Sequence, residues 1–529
     1  MDEPAIRTRR AFLGTAAGTA GVVATGALAG CTSSPAAHPV AGHTARPRRA
    51  TPSTVAENKL PGERHWWLKH IGAPDAIMGY TGQASVRRGE PLDLYVSTTA
   101  REFRVNVLRM GWYGGLLARL VWRSGWIRGH QQRPSAFAPQ TRMVSCDWGR
   151  SLTMSTADWP EGSYLLRLDA QTGEQRYVPV TVRSTSTAGR VVLKNAVETW
   201  QAYNTWGNYD LYTGPGGYAD RSYVVSLDRP YDGNGALLFM AFERKLINIA
   251  ERLGLPLAYV TSIDLNNDPH LLDGASALIS LGHDEYWTPA ERAHVTAARD
   301  AGTNIAFLGA NAMFRRTRLQ PGRLGPDREI VCYKTSYQLD PMYGRDNALV
   351  TSDWREPPHP DPESSLTGTL YESNPVTADY VVATPDAWMF ANTGVRKGQR
   401  FTGLVGDEYD RVNPMYPVER PIEILAHSPL TCLGVNSYQD SAYYTHPGGA
   451  GVLNTGTMRW VESLAPPYGP ELVPGDGRFT RRVTVNVLRG FADGPAAAKH
   501  PARDNLAAMH EWPGNPIAAQ HNLWPPVVL

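Results

Sequence analysis

The sequence predicts a protein of several domains, in which an antiparallel β-sandwich is followed by an α/β domain. The chain has 529 residues, more than a single hydrophobic core usually organises, so two or more domains are expected. Between residues 62 and 185, short stretches alternate apolar and polar residues and are separated by turn signals. From residue 190 onward, short apolar runs alternate with segments that carry apolar residues at helical spacing.

The start of the chain predicts an export signal and a linker. Thr8-Arg9-Arg10-Ala11-Phe12-Leu13 is a twin-arginine motif, and Leu28-Ala29-Gly30-Cys31 has the pattern of a lipobox. The apolar run between them is shorter than the ~20 residues of a membrane-spanning anchor, which is the alternative. Residues 32–60 are rich in Pro, Ala, Ser and Thr and predict a disordered linker. We expect export by the twin-arginine route and anchoring at the outer face of the cell membrane through lipidated Cys31.

The first folded domain is predicted at residues 62–185. Alternation of apolar and polar residues predicts half-buried strands, among them residues 92–96, 103–109, 163–168 and 177–182. Such strands at regular intervals are typical of an antiparallel sandwich of the immunoglobulin-like type. No catalytic cluster occurs in this part, so a spacer or binding module is expected.

The second domain is predicted at residues 190–492. Apolar strands alternate with helical patterns, which indicates a parallel sheet with helices on both faces and therefore three layers. The strands are expected at 191–193, 257–261, 277–281 and 304–309, and the helices at 237–253, 289–302 and 478–491. Residues 320–420 predict a loop-rich insertion, and residues 493–529 a tail that wraps the surface or is loose.

A reactive stretch follows the predicted strand at 277–281. His283-Asp284-Glu285-Tyr286-Trp287 precedes a helix start, with Thr288 as the N-cap and Pro289 at the first helical position. Ligands of open α/β sheets bind outside the carboxyl ends of the strands. His283, Asp284 and Glu285 are therefore candidate catalytic residues, and Trp287 is a candidate substrate contact. The alternative is that these groups only cap the helix and bind water.

An aromatic stretch at residues 200–212 provides candidate substrate-binding residues. Its aromatic and amide side chains suit stacking on a flat or sugar-like ligand, and the candidates are Tyr203, Asn204 and Trp206. Asn311, which follows the strand at 304–309, is a further candidate. Packing beneath the loop is the alternative. If the stretch grips carbohydrate or envelope polymer, the protein is a non-catalytic binding protein of the cell surface.

Several classes of function are excluded or disfavoured. The net charge is +2 and no basic block stands out, so no nucleic acid is expected as a partner. No glycine-rich nucleotide motif follows the strands, and neither a Gly-x-Ser-x-Gly elbow nor a His-Glu-x-x-His helix is present. Apart from Cys31, the cysteines are Cys146, Cys332 and Cys432, which we expect to be buried free thiols.

Several motifs, in the same order, resemble the C-terminal domain of the large (beta) chain of bacterial N,N-dimethylformamidase. They are residues 283–287, Gly309-Ala310-Asn311, Gln201-Ala202-Tyr203-Asn204 and residues 451–457, and the resemblance covers roughly residues 190–490. The resemblance implies a glutamine-amidotransferase-like α/β domain. It also implies hydrolysis of a small amide at one mononuclear iron, held by two tyrosines and one glutamate.

The resemblance assigns the iron ligands only in part. Tyr286 matches the tyrosine of the family's His-x-Glu-Tyr motif, and the second tyrosine is open between Tyr259 and Tyr203. The family's later Gly-Glu pair matches Gly368-Thr369 in this sequence, so Thr369 takes the place of the glutamate. Glu372 or Glu363 then substitutes from nearby, or the fold is a scaffold without its chemistry.

Together these patterns predict a metal-assisted hydrolase of amide-type C–N bonds. A bound iron polarises an amide carbonyl and lowers the pKa of its water, and phenolate and carboxylate oxygens suit ferric iron. His283 or Glu285 would move protons to the leaving amine. The expected partner is a small amide or a carbohydrate-like ligand, and oligomerisation is left open.

Overall fold

The computed structural model describes residues 53–466, 472–473 and 475–510. The twin-arginine motif, Cys31, most of the predicted linker and residues 511–529 lie outside the described residues. Residues 53–60 are not a disordered linker, because Ser53 caps a short helix, α1 (Thr54–Glu57), whose Glu57 is buried. No helix in the described ranges has the length and apolar content needed to cross a membrane.

The first part of the chain forms several β-sheets. Its strands are β1 (Ile77–Thr81), β2 (Ser85–Arg87), β3 (Pro91–Thr98), β4 (Glu102–Met110), β5 (Ala118–Arg123), β6 (Ile127–Arg128), β7 (Ala136–Ala138), β8 (Met143–Ser145), β9 (Leu152–Ser155), β10 (Gly162–Ala170) and β11 (Gln175–Arg183). One sheet has the order β1-β3-β9, and a second has the order β2-β11-β10-β4-β5 with β6 beside β4. Apolar residues of both sheets share one core. The strand pairs in these sheets are antiparallel, as predicted, except that β2 pairs with β11 in parallel.

The rest of the chain is organised around a seven-stranded sheet. The strands of this part of the chain, seven of which form that sheet, are β12 (Val191–Asn195), β13 (Val224–Ser226), β14 (Leu257–Thr261), β15 (Ala277–Ser280), β16 (Tyr286–Trp287), β17 (Asn304–Phe307), β18 (Arg315–Arg316), β19 (Arg318–Gly322), β20 (Gly325–Val331), β21 (Leu370–Val381), β22 (Arg400–Arg411), β23 (Ile422–Cys432), β24 (Val435–Thr445) and β25 (Gly451–Asn454). The order in the main sheet is β14-β12-β15-β17-β25-β24-β23. The first five strands are parallel, and β24 is antiparallel to both neighbours.

Helices cover both faces of this sheet. They are α2 (Val197–Ala202), α3 (Arg244–Leu253), α4 (Ser262–Asn267), α5 (Pro289–Asp300), α6 (Ser364–Thr367), α7 (Arg459–Glu462), α8 (Gly477–Ala492) and α9 (Leu506–His510). Successive residues of a strand point to opposite faces, so Ile279 packs in one core with α3 and α8, whereas Leu278 packs in another with α4 and α5. The molecule is therefore β-rich, with several separate sheets and few helices among the described residues.

The local signals for helix ends were reliable. Thr288 caps α5 by accepting a hydrogen bond from the amide of Glu291, and Pro289 begins the helix. Gly254 ends α3 in the left-handed conformation, with φ 68°, as expected for a glycine at this position. Glu291, whose position three residues after Thr288 is that of a capping-box partner, instead pairs through its carboxylate with the Lys194 ammonium at 2.5 Å.

The prediction that residues 320–420 are loop-rich was wrong for much of this segment. Strands β21 and β22 form a long antiparallel pair. The alternation of apolar and polar residues is weak here because the register of the pair shifts at three points. Cys146, Cys332 and Cys432 are buried and free, as the sequence predicted.

Candidate metal and catalytic site

Neighbouring parallel strands bring the candidate residues to one edge of the sheet. Strand β12 lies between β14 and β15, and β17 follows β15 in the sheet. Tyr203 comes after β12 and α2, Glu285 comes after β15, and Asn311 comes after β17. All three residues therefore lie beyond the carboxyl ends of adjacent strands, where ligands of such sheets bind.

The carboxylate of Glu285 is the centre of the site. Its Oε2 accepts a hydrogen bond from the Tyr203 hydroxyl at 2.5 Å, and its Oε1 accepts one from the Tyr212 hydroxyl. The two phenol oxygens are 3.2 Å apart. Glu285 is fully buried, whereas both tyrosines are half-buried. Two phenol hydroxyls and one carboxylate thus converge beside the partly exposed side chains of Tyr203 and Tyr212, a region here called the crevice.

The Arg315 guanidinium keeps Glu285 ionised. Burial by itself raises the pKa of a carboxyl group, but the positive charge of Arg315, together with the hydrogen bond from Tyr203, lowers the pKa of Glu285 overall. The Arg315 Nε donates to Oε1 at 3.2 Å, and the same guanidinium contacts Asp353. Glu285 is consequently an acceptor that can serve as an anionic ligand.

His283 lies against the same carboxylate. Its Nε2 is 3.6 Å from Glu285 Oε2, and its ring centroid is 5.1 Å from that of Tyr203 and 5.7 Å from that of Phe242. Burial lowers the pKa of His283, which favours the neutral imidazole. Its Nδ1 has no hydrogen-bond partner among the described residues. A neutral imidazole beside a crevice can accept a proton.

Lys334 is a buried amine above Tyr212. Its Nζ lies 3.0 Å from the centroid of the Tyr212 ring and 5.4 Å from that of Tyr286, and no hydrogen-bond partner occurs in the described ranges. Burial and the charge of Arg315 lower the pKa of Lys334 well below its usual value. The Lys334 amine is thus held over the Tyr212 ring by packing, and it can still form a hydrogen bond to a molecule bound in the site.

Asn311 brings a second carboxyl group, Glu408, to the site. The Asn311 side-chain amide donates to Glu408 Oε2 at 2.8 Å, and its backbone amide donates to Asp410 at 2.7 Å. Burial and the charge of Glu285 raise the pKa of Glu408 well above its usual value. One ionised and one protonated carboxyl group therefore share the site, which is a common division between a charged group and an acid.

Two glycines let the loops after β15 and β17 approach each other. A Cβ at Gly309 would lie 2.1 Å from the carbonyl oxygen of Gly282. Gly282 itself has φ 147° and packs against the backbone of Phe242, so it precedes His283 in a conformation that favours glycine. This close contact fixes the start of the loop that carries His283 and Glu285.

Asp284 and Trp287 lie in the interior and do not line the crevice. Both Asp284 carboxylate oxygens contact the Lys194 ammonium, at 2.9 and 2.8 Å, and this ammonium lies 3.6 Å from the centroid of the Trp287 ring. Trp287 is fully buried and donates its indole N–H to the Asp284 carbonyl. These two residues anchor the loop, so their predicted catalytic and substrate-binding roles are corrected to structural ones.

Asn204 and Trp206 also take part in packing. The buried Asn204 amide donates to Gln201 and to the Pro230 carbonyl. The Trp206 indole N–H faces Met78 Sδ at 3.3 Å, and its ring contacts Trp148 edge-on at 6.2 Å. Both side chains are therefore engaged with the protein, although Trp206 stays partly exposed.

Of the metal ligands suggested by the sequence, Tyr203 is the one that hydrogen-bonds to Glu285 among the described residues. The Tyr286 hydroxyl is buried and has no hydrogen-bond partner among the described residues, although its ring lies edge-on to Tyr203 at 6.3 Å. Glu372 pairs with Arg411 at 2.8 Å. Two further residues considered as ligands are engaged elsewhere, Glu363 with Arg355 and Tyr259 with Glu251. Thr369, which stands where the family has the glutamate, hydrogen-bonds with Asp410 and Asn454.

Four residues of the site were missed by sequence reasoning: Tyr212, Arg315, Lys334 and Glu408. Tyr212 lies in the same aromatic stretch as Tyr203, and Glu408 lies in the most acidic part of the segment at 403–410. Those signals were present, but neither spacing nor composition relates them to Glu285. Arg315 and Lys334 carried no signal, because isolated basic residues are common on protein surfaces.

The oxygens of Tyr203, Tyr212 and Glu285, here called the oxygen triad, are spaced as ligands of a small, hard metal ion would be. Two ligands at right angles and about 2.0–2.1 Å from such an ion are separated by about 2.9 Å. The separations of 2.5 and 3.2 Å around Tyr203 bracket that value. No group of three or more His, Cys, Asp and Glu residues suited to a metal occurs in the described part of the chain. A site here therefore depends on phenol oxygens, which suit ferric iron.

Comparison with known proteins gives one family. The model described as "N,N-dimethylformamidase beta subunit-like, C-terminal" matches residues 104–471. The match begins within β4, earlier than the resemblance of the motifs indicated. A comparison with curated proteins gave no match. The solved structure of Cwp6 from Clostridium difficile is similar at 13% identity and a TM-score of 0.14. That similarity covers 44% of this chain and 37% of the Cwp6 chain, and it carries no argument.

Proposed function

Because this chain belongs to the N,N-dimethylformamidase beta subunit-like family, we propose that it is a metal-assisted hydrolase of amide-type C–N bonds in small molecules. The observation that carries the proposal is the convergence of the Tyr203 and Tyr212 hydroxyls on the two oxygens of the Glu285 carboxylate. This set has the composition, two tyrosines and one glutamate, that the family resemblance implied for a mononuclear iron.

The proposal reassigns the metal ligands. Tyr203, Tyr212 and Glu285 replace Tyr286 and Glu372, the ligands that the sequence motifs suggested. In this proposal, Glu285 of the His283-Asp284-Glu285 motif is the carboxylate ligand. The presence of Thr369 where the family has a glutamate therefore removes no ligand. The buried Tyr286 ring then serves as a wall of the site beside Lys334.

A metal bound by the triad would polarise the amide carbonyl and lower the pKa of a bound water. The residues of this chain supply the rest of the chemistry. The neutral imidazole of His283 faces the triad and accepts the proton of the attacking water. The protonated carboxyl group of Glu408, oriented by Asn311, gives a proton to the leaving amine. The guanidinium of Arg315 offsets the negative charge of the ligands.

The proposal also covers the cellular location, the fold and the ligand of the protein. The twin-arginine motif and Cys31 support export and a lipid anchor, which would place a small amide substrate outside the membrane. The shared core of the first two sheets supports an immunoglobulin-like sandwich, and the helix-covered main sheet supports a glutamine-amidotransferase-like layering. A role limited to carbohydrate binding by the aromatic stretch loses support, because Trp206 packs against Met78 and Trp148.

Metal analysis of matched variants tests the ligand assignment. We expect Tyr212→Phe and Glu285→Gln to retain less than about a tenth of the iron bound by the wild-type chain, because each removes a direct ligand. Tyr286→Phe and Glu372→Gln are the matched controls and should retain the metal. Hydrolysis of short N-alkyl amides should fall with the iron content of each variant.

Two outcomes would contradict the proposal. Loss of iron in Tyr286→Phe with retention in Tyr212→Phe would restore the assignment made from the sequence. A wild-type protein, exported in folded form, that carries no metal and hydrolyses no short amide would remove the hydrolase function.

A further inference from the structure

The first part of the chain contains a polar cavity far along the fold from the crevice at Glu285. Its volume is about 330 Å³, within the usual size range of small-molecule sites. Its lining includes Lys69, Arg104, Asn106, Arg123, Arg167 and Asp169. Most of these side chains are charged or carry amide groups, which is unusual for a gap left by imperfect packing.

The strand register builds the cavity in two rows across the six-stranded sheet. In one row, Asn106 of β4 lies opposite Arg123 of β5 on one side and Arg167 of β10 on the other. In the next row, Asp169 of β10 lies opposite Arg104 of β4 and Gln175 of β11. These positions alternate with core residues such as Val105 and Leu168, so the polar groups share the face of the sheet opposite to the core.

The floor of the cavity is fixed by a saturated carboxylate. Asp169 accepts hydrogen bonds from Arg167 at 2.8 and 3.0 Å, from Asn106 at 2.8 Å and from Gln175 at 2.8 Å. Asn106, Arg167 and Asp169 are all more than nine-tenths buried. Such a network holds the planar groups in place before any ligand arrives.

The lining of the cavity as a whole has excess positive charge. Lys69, Arg104, Arg123 and Arg167 exceed the two carboxylates of Glu63 and Asp169 by two charges. Arg123 uses its Nε to donate to Asn106 at 2.6 Å, which directs its exposed guanidinium along the rim. Lys69 is also exposed. The cavity therefore favours an anion.

An exposed indole lies beside this rim. Trp126 is 48% exposed, and the guanidinium carbon of Arg104 lies 5.0 Å from the centroid of its ring. An aromatic face next to planar amide and guanidinium groups is suited to a sugar ring, whose C–H groups pack on the indole while its hydroxyls take hydrogen bonds. An arginine rim suits a carboxylate, which it can bind with two parallel hydrogen bonds.

We propose that this cavity, together with the indole of Trp126 beside its residue Arg104, binds an acidic saccharide of the uronate type. The carboxylate of the sugar pairs with Arg123 and Lys69, and a neighbouring sugar ring packs on Trp126. The site is independent of the metal centre and does not depend on the proposed hydrolase activity. It would hold the protein on an acidic polymer while the crevice at Glu285 remains free.

Calorimetric titration of the whole chain with a uronate trisaccharide, a neutral glucose trisaccharide and inorganic phosphate tests this proposal. We expect binding of the uronate trisaccharide alone. Arg123→Gln should weaken it about tenfold, because one charge-assisted contact is lost. Trp126→Ala should weaken it about fivefold through the lost ring contact. The matched controls are Arg133→Gln, an arginine that is 81% exposed, and Phe137→Ala, an aromatic that is 47% exposed.

Each outcome of this titration either supports or overturns the saccharide site. Loss of affinity in Arg123→Gln and Trp126→Ala, with both controls unchanged, supports the saccharide site. Equal affinity for phosphate and uronate with no effect of Trp126→Ala overturns it in favour of a simple anion site. Absence of uronate binding by the wild-type chain, or equal losses in the variants and their controls, also overturns it. Metal content should stay at the wild-type level in all four variants, which separates this test from that of the hydrolase.

Discussion

At Glu285, one carboxylate oxygen faces Arg315 and Tyr212, and the other faces Tyr203 and His283. This division explains how a fully buried carboxylate remains ionised, because each oxygen has a donor and a nearby cationic or polarisable group. It also leaves both phenols on the open side. The chemistry of the site therefore depends on which side chains surround one residue.

Arg315 is the residue on which the charge of Glu285 depends most. We expect Arg315→Met to destabilise the fold by about 3–5 kcal/mol, because a buried carboxylate loses its partner. Iron content should fall together with stability. Urea unfolding and metal analysis measure the two effects. Arg133→Met, at an arginine exposed to solvent, should change the free energy of unfolding by less than about 0.5 kcal/mol. Equal effects of the two substitutions would contradict the role given to Arg315.

Glu198 provides a pH-dependent contribution to stability. Burial raises its pKa to about 7, and its Oε1 has no hydrogen-bond partner in the described part of the chain. The folded chain holds this proton more tightly than the unfolded chain, so the free energy of unfolding should fall between about pH 4.5 and pH 7 as the pH rises. The loss is on the order of 3 kcal/mol. Glu198→Gln should remove that part of the slope in urea unfolding at pH 5 and pH 8, and an unchanged slope would contradict this assignment.

At the scale of elements, the loops after β15 and β17 control the geometry of the site. They cross at Gly282 and Gly309, where the backbone leaves no room for a side chain. Strand β12 adds Tyr203 through the short helix α2, and the long pair β21–β22 adds Glu408 from outside the main sheet. Elements far apart in sequence are therefore required to complete one crevice.

A substitution at this crossing tests its importance. Gly309→Ala would place a methyl group on the Gly282 carbonyl, so we expect displacement of His283 and a loss of stability of about 1–3 kcal/mol. Thermal unfolding and iron content are the measurements. Gly125→Ala is the control, because a Cβ there meets no atom within 4 Å and needs no positive φ. Full iron content in Gly309→Ala would show that the crossing does not position the site.

At the scale of the whole molecule, a buried ion pair joins the first part of the chain to the main sheet. Arg109 of β4 contacts Glu251 of α3 at 2.6 Å, and Tyr259 of β14 donates to the same carboxylate. The family match begins near this point, at residue 104, and so includes β4 together with the main sheet. The first part is consequently attached to the α/β part through desolvated charges and not through a free linker.

Arg109→Met should therefore weaken the whole fold. We expect a loss of about 3–5 kcal/mol, since Glu251 would remain buried without its partner. Arg109→Met combined with Glu251→Leu should recover part of that loss, because no buried charge remains. Denaturant unfolding, followed by fluorescence from both parts of the chain, measures this change in the free energy of unfolding. A single variant as stable as the wild-type chain would mean that the pair does not join the two parts.

Much of the architecture could be predicted because its causes are local. The cap at Thr288, the stop at Gly254 and the apolar strands at 257–261 and 277–281 follow from neighbouring residues alone, and the structure has them at these positions. The pair β21–β22 was missed because its register shifts disrupt the period of two. Tyr212 and Lys334 were missed because no local pattern relates them to Glu285.

The sequence by itself determined the alternation of strands and helices between residues 190 and 310, the family of the chain and the motif that contains Glu285. It determined these because hydrophobic periodicity, capping residues and short motifs act over a few neighbouring positions. Only the tertiary structure decided that Asp284 is an anchor, that Tyr286 lacks a partner among the described residues and that Tyr203 and Tyr212 meet at one carboxylate. Those outcomes depend on distances between segments up to about a hundred residues apart, which the packing of the sheet sets and local sequence does not encode.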